Sequence, residues 1–211
     1  PPFPYPTLFR SGTSLGQTYF RHDAGDCTLL VLDYQRYAAG NPQDAWCEAQ
    51  LAAAAGAGRR IFVVAHAPVY LWGRHFFGDP ALMRRLDALF SAYPVEAYLC
   101  GHTHNQAVSF HARQSNRGWL QLMASSVGYA ALPGQPLEQT HVLADFGPEN
   151  RYLWGIAEDS APGFFLLDLD PDGLCLRWES VGGESREFRV AGRRALPVCR
   201  EAPPVRVVPA P

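Results

Sequence analysis

The chain has 211 residues, of which 47% are hydrophobic and 18% are charged, a balance typical of a globular domain with one sizeable core. Its formal net charge of -2 lacks the basic excess that usually marks binding to nucleic acid or anionic membranes. No apolar run approaches the roughly 20 residues of a membrane-spanning helix. We therefore expect no nucleic-acid-binding patch and no membrane segment in this chain, and its localisation stays unknown.

Both ends of the chain are rich in proline. The opening stretch 1–11 has neither a helical nor a strand period, and its string FPYPTLFRS resembles the translation of a sequencing-library adapter. We interpret it as a non-native or disordered lead-in. The proline-rich tail 197–211 is predicted to be disordered. These boundaries leave 12–196 as the predicted domain.

The first elements of that domain are a hairpin and a helix. A strand is predicted at Thr18–His22, followed by a turn and the apolar run Cys27–Leu32. Asn41 and the following proline predict a helix start, because asparagine is a favoured cap and proline suits the first helical position. Gly56 is typical of the end of that helix.

Two more strands and a second helix follow. Ile61–Ala65 is apolar throughout, as expected of a strand that is covered on both faces. Asp79 and Pro80 repeat the cap-and-proline signal of a helix start, and Val95–Cys100 is the next predicted strand. Strands that alternate with helices predict an α/β sheet covered by helices.

The second half of the chain is predicted to be mainly β. Alternating residues indicate strands at Gln106–His111 and Trp119–Ala124. A further hairpin is predicted from Phe164–Asp168 and Cys175–Glu179. The stretch 128–162 has no clear period and is interpreted as irregular loops.

Histidines stand where two of the buried strands end. His66 follows the strand Ile61–Ala65, and His102 and His104 follow Val95–Cys100. Ligands of α/β sheets bind at the carboxyl ends of the strands. Residues two apart in an extended segment project to the same side, and imidazole binds zinc, iron and manganese. The three histidines can therefore address one metal site at this edge of the sheet, although an HxH pair by itself is more often a surface pair and a single histidine at a strand end is more often a hydrogen-bonded residue.

The residues around these histidines resemble motifs of the calcineurin-like metallophosphoesterases. The string AHAP at 65–68 looks like the family's histidine-x-proline motif, and GHTHN at 101–105 matches its GHxH motif. The resemblance extends over about 17–130 and implies an α/β fold, a metallophosphoesterase-type β-sandwich flanked by helices. It also implies that the full-length parent hydrolyses phosphate mono- or diesters with two divalent or trivalent metal ions, manganese, iron or zinc. His66 and His102 would bind one ion and His104 the other.

The sequence also departs from the family pattern. Family members carry DxH, GDxxD and GNHD or GNHE motifs before these segments, and the sequence contains none of them. We therefore expect an N-terminally truncated domain that carries the C-terminal half of the dinuclear site, is inactive alone and supplies no catalytic residue that can be assigned. The alternative is a non-catalytic binding or scaffold domain that has lost its metal site.

Two further residues are predicted to contact the phosphate ester substrate. His75 lies in the loop that follows His66, where loops commonly carry binding residues, and Asn105 directly follows the HxH pair. The other histidines are expected to be surface or strand-face residues; they are His22, His111 and His141. The sequence does not decide the substrate, the metal or the oligomeric state.

Overall fold

The computed structural model of the chain describes residues 18–70, 80–102, 106–112, 118–124, 151–158, 162–170, 173–183, 185–191 and 198–199. The two helices there are α1 (Pro42–Gly56) and α2 (Pro80–Ala92), with a 3₁₀ turn at Tyr34–Arg36. The strands are β1 (Phe20–Ala24), β2 (Cys27–Val31), β3 (Arg60–Val64), β4 (Val95–Cys100), β5 (Gln106–Ala112), β6 (Gly118–Met123), β7 (Arg151–Glu158), β8 (Gly163–Asp170), β9 (Gly173–Ser180), β10 (Ser185–Ala191) and β11 (Val198–Cys199).

The strands form two sheets. The larger has seven strands in the order β1-β2-β3-β4-β6-β5-β7, and the smaller has four in the order β11-β10-β9-β8. Within the larger sheet β2, β3, β4 and β6 pair in parallel, while β1, β5 and β7 pair antiparallel to their neighbours. The carboxyl ends of the four parallel strands therefore meet along one edge.

The larger sheet is covered on both faces. One face packs against the helices through a buried cluster that includes Leu51 of α1, Phe90 of α2 and Trp119 of β6. The other face packs against the smaller sheet, where Leu122 of β6 and Leu176 of β9 share a second buried cluster. The molecule is thus a β-sandwich with helices on its outer face, which confirms the predicted α/β fold class. Burial on both faces accounts for the apolar run 61–64 of β3.

The helices begin where the sequence predicts. The side chain of Asn41 accepts a hydrogen bond of 2.9 Å from the backbone N–H of Asp44, and Pro42 is the first residue of α1. Pro80 opens α2 in the same way. A proline costs no hydrogen bond at this position because the first amides of a helix have no partner within it. Neither described helix is long and apolar enough to cross a bilayer.

Four parts of the structure differ from the sequence predictions or add to them. Strand β1 runs from Phe20 to Ala24, two residues later than predicted. The prediction of irregular structure over 128–162 was wrong for Arg151–Glu158, because this segment pairs with β5 as β7. Strand β10 had no counterpart in the sequence analysis. Val198–Cys199, inside the predicted tail, pair with β10, and the rest of that tail lies outside the described residues, as does the lead-in 1–11.

Gly163, the first residue of β8, packs directly against β9. A methyl group added there would lie 2.5 Å from the carbonyl oxygen of Glu179 and 2.8 Å from the ring of Trp178. Because backbone and a buried indole cannot easily move away, we expect Gly163→Ala to lower the free energy of unfolding by about 1–3 kcal/mol. Gly56→Ala is the matched control, because nothing lies within 4 Å of its added methyl group. Urea unfolding that ranks the two variants equally would contradict this packing.

Candidate metal centre

Backbone pairing continues beyond the ends of β3 and β4 and brings the two histidine motifs together. The N–H of Ala65 donates to the carbonyl oxygen of Leu99 at 3.1 Å, and the N–H of Gly101 donates to that of His66 at 3.0 Å. The residue after Gly101 is His102. The parallel register of the sheet therefore places His66 and His102 side by side at its carboxyl edge.

The two imidazoles face each other through ring nitrogens. Nε2 of His66 lies 3.0 Å from Nδ1 of His102, and the ring planes are nearly perpendicular at 83°. His66 is exposed and His102 is partly exposed. His102 has a φ of 79°, in the left-handed region that residues other than glycine rarely adopt. Such a backbone conformation is common at functional sites, where the surrounding structure holds it in place.

The nitrogen pair fits one shared metal ion. Two imidazole nitrogens that each lie roughly 2.1 Å from a common ion are about 3 Å apart when they subtend roughly a right angle at it, as in octahedral coordination. The observed separation of 3.0 Å matches this arrangement. Without an ion, one ring has to donate a proton and the other has to accept it, so two of the four pairs of neutral tautomers satisfy the contact.

The other predicted site residues lie outside the described residues. These are His104, Asn105 and His75, and the same holds for His141. Within the described ranges no group of three histidine, cysteine or acidic side chains is arranged to hold a metal ion. The structure thus brings together two of the five residues singled out from the sequence, and the roles of the other three stay predictions.

The exit of β2 lies beside the histidine pair. The ring centroid of Tyr34 is 6.4 Å from that of His102. The side chain of Gln43 holds the backbone of Asp33, the residue before Tyr34. Oε1 of Gln43 accepts a hydrogen bond from the N–H of Asp33 at 2.7 Å, and Nε2 of Gln43 donates to the carbonyl oxygen of Asp33 at 3.1 Å. The carboxylate of Asp33 accepts a hydrogen bond from the hydroxyl of Thr18. The sequence analysis did not single out Tyr34.

His111 is buried, which corrects part of the expectation for the remaining histidines. It lies on β5, as a strand-face residue should, but its side chain is only 5% exposed. Its ring stacks on that of Tyr70 with centroids 4.0 Å apart, and Ser109 Oγ lies 2.7 Å from its Nε2. Burial lowers the pKa of His111 to about 3, so the ring is neutral at physiological pH. His22 lies half-buried on β1.

Known proteins with similar sequences are phosphatases. Residues 5–106 match the family described as calcineurin-like phosphoesterase. Tartrate-resistant acid phosphatase type 5 of Mus musculus is 29% identical over 158 residues, which cover 74% of this chain and 43% of that protein. The same phosphatase of Homo sapiens is 28% identical over 155 residues, 74% of this chain and 44% of that protein. The chain thus spans less than half the length of these relatives.

A solved structure shares the fold. The purple acid phosphatase PPD1 from seeds of yellow lupin, Lupinus luteus, superposes with a TM-score of 0.66 over 82% of this chain and 32% of that one, at 17% sequence identity. At this sequence identity the structural similarity is evidence for the fold alone. The sequence matches confirm, over residues 5–106, the resemblance that the histidine motifs indicated.

Proposed function

We propose that this chain carries part of the dinuclear metal site of a hydrolase that acts on phosphate mono- or diesters. The observation that supports this proposal best is the contact of 3.0 Å between Nε2 of His66 and Nδ1 of His102. It lies at the carboxyl edge of a parallel sheet, where α/β proteins bind ligands. Both histidines also fall within the segment that matches the phosphoesterase family.

The proposed division of ligands follows from the family. His66 and His102 would hold one ion, and His104 would hold the other, with manganese, iron or zinc as the metal. When bound, such a pair of ions lowers the pKa of a coordinated water and neutralises charge on the phosphoryl oxygens. Asn105 and His75 are proposed to contact the substrate.

The charge of the available ligands limits what this chain does by itself. Imidazoles bind metal in their neutral form, so His66, His102 and His104 compensate none of the positive charge of two ions. The DxH, GDxxD and GNHD motifs that supply carboxylates in the family do not occur in the sequence. We therefore propose that the chain alone binds metal weakly and hydrolyses phosphate esters poorly.

The test compares this chain with the longest in-frame protein that contains it in its native genome. Each is assayed with manganese, zinc or iron on p-nitrophenyl phosphate and on the corresponding diester. We expect the chain alone to show almost no turnover and the longer protein to show robust turnover. In the longer protein His102→Ala should reduce the rate by about 100-fold or more, because a metal ligand is lost. The control His22→Ala, on β1, should change it less than twofold.

The remaining outcomes are also decisive. Robust turnover by the chain alone that His102→Ala abolishes would show that its own residues complete a working site, against our proposal of inactivity. A longer protein that binds no metal and hydrolyses neither ester would favour the alternative, a non-catalytic binding or scaffold domain.

A further inference from the structure

A glutamine of β6 holds the backbone that follows His66. The N–H of Tyr70 donates to Oε1 of Gln121 at 2.9 Å, and Nε2 of Gln121 donates to the carbonyl oxygen of Tyr70 at 2.6 Å. The side chain of Gln121 is fully buried, with 0% exposed. A primary amide offers one acceptor and two donors in one plane, so it can pair with both polar groups of a single residue as a neighbouring strand would.

The segment between His66 and this amide needs such partners. Ala67, Val69 and Tyr70 are buried, yet 67–70 is neither helix nor strand. Buried backbone groups without a hydrogen bond are costly, and this segment has no ladder to supply them. The hydroxyl of Tyr98, on β4, donates to the carbonyl oxygen of Ala67 at 2.5 Å. Two buried polar side chains thus secure the backbone directly after His66.

The ring of Tyr70 is held by β6 and by its neighbour β5. It stacks on His111 of β5 at 4.0 Å with an interplanar angle of 9°, and on Trp119 of β6 at 5.8 Å and 26°. Ser109, which lies close to His111, is the direct cross-strand partner of Gln121. Buried polar residues in an otherwise apolar face of the sheet therefore converge on Tyr70, and its backbone and ring are both fixed.

We propose that Gln121 is a positioning residue for His66. On one side of His66 the chain is tied to β4, where the N–H of Gly101 donates to the carbonyl oxygen of His66 at 3.0 Å. On the other side only three residues separate His66 from Tyr70. The amide of Gln121 therefore limits how far the imidazole of His66 can turn away from His102. This inference rests on the proposed metal site, because its consequence is the geometry of the two ligands.

The chain provides a matched control in Gln43. This residue is also buried, at 2% exposed, and its amide makes the same pair of hydrogen bonds with the N–H and carbonyl oxygen of Asp33. Gln43→Met and Gln121→Met each replace the amide by a thioether of similar length and volume. Both variants remove the two hydrogen bonds of a buried amide to the backbone of one residue, but only Gln121→Met releases the segment after His66.

The experiment is a zinc titration of the whole chain and of both variants, followed by NMR signals of the histidine rings. We expect Gln121→Met to raise the Kd for zinc about 10-fold, the usual effect of removing a residue that orients a metal ligand. Gln43→Met should leave it within twofold, although urea unfolding should show that both variants are less stable. A Kd for Gln121→Met within twofold of that of the unchanged chain would overturn the proposal. An equal rise of the Kd for zinc in both variants would also overturn the proposal, because it would show that Gln121 only stabilises the fold.

Hydrogen exchange in the unchanged chain gives a second test that does not depend on how the variants fold. The amide of Tyr70 should be protected as well as that of Ala65, whose N–H donates to the carbonyl oxygen of Leu99. Exchange about 100-fold faster at Tyr70 would show that the amide of Gln121 does not hold it. If the unchanged chain binds no zinc but Tyr70 is protected, the proposed metal site fails and the positioning of the His66 segment stands.

Discussion

Acidification from pH 6.5 toward pH 4 is expected to destabilise the chain because its folded state cannot protonate His111. The pKa of His111 is lowered from 6.5 to about 3 by burial. The unfolded chain therefore binds one more proton than the folded chain between these values, so stability falls as the pH falls. Between pH 6.5 and 4 the expected loss is on the order of 3 kcal/mol, at about 1.4 kcal/mol for each pH unit over which the unfolded chain holds the extra proton.

Urea unfolding at a series of pH values measures this effect. The rings of Tyr70 and Trp119 face His111, with Ser109 beside it, and Asp87 of α2 binds the indole of Trp119 at 3.2 Å. His111→Phe keeps an aromatic ring in the stack and removes the titrating group, so its free energy of unfolding should change much less between pH 6.5 and 4. The same pH dependence in His111→Phe would contradict this assignment.

The second large effect is expected from Asp44→Ala, with a loss of about 3–5 kcal/mol in the free energy of unfolding. Asp44 is 3% exposed and accepts hydrogen bonds from the hydroxyl of Tyr37 at 2.6 Å, from the N–H of Gly40 at 2.8 Å and from Nε of Arg85 at 3.0 Å. Burial raises the pKa of Asp44, but these hydrogen bonds outweigh it and hold the pKa below its ordinary value. Removing the carboxylate leaves the buried hydroxyl of Tyr37 without this acceptor.

Glu48 provides the control for this prediction, because it binds the same arginine from the surface. Nη2 of Arg85 lies 2.5 Å from its carboxylate, but the side chain of Glu48 is 45% exposed. We expect Glu48→Ala to cost less than about 1 kcal/mol, since exposed ion pairs contribute little. Denaturation curves that give both variants the same small loss would show that the buried position of Asp44 does not matter.

The elements that the sequence predicted well are those with a strong local signal. Strand β3 is apolar after Arg60, strand β4 is apolar except for Glu96, and Asn41 with the following proline marks the start of α1. The pairing order β4-β6-β5-β7 had no such signal, because it depends on contacts between residues far apart in the chain. Strand β7 was missed for the same reason.

The site could be predicted only in part. His66 and His102 stand out because short motifs surround them at the ends of strands. Gln121 and His111 do not stand out, because the sequence of an alternating strand does not show whether a polar residue faces water or a buried backbone. Their roles depend on Tyr70, which reaches them only through the tertiary fold. His104, Asn105 and His75 lie outside the described residues and remain predictions.

The central claim is that His66 and His102 bind one metal ion together, and a zinc titration of the whole chain tests it most directly. The ring signals of both histidines, read by NMR, should shift with the same zinc dependence, because one ion contacts both nitrogens of the 3.0 Å pair. In His66→Ala the shift of His102 should be lost or should need about 10-fold or more zinc, whereas His22→Ala should leave it unchanged. Two rings that respond independently, or neither responding while the chain is folded, would contradict the claim.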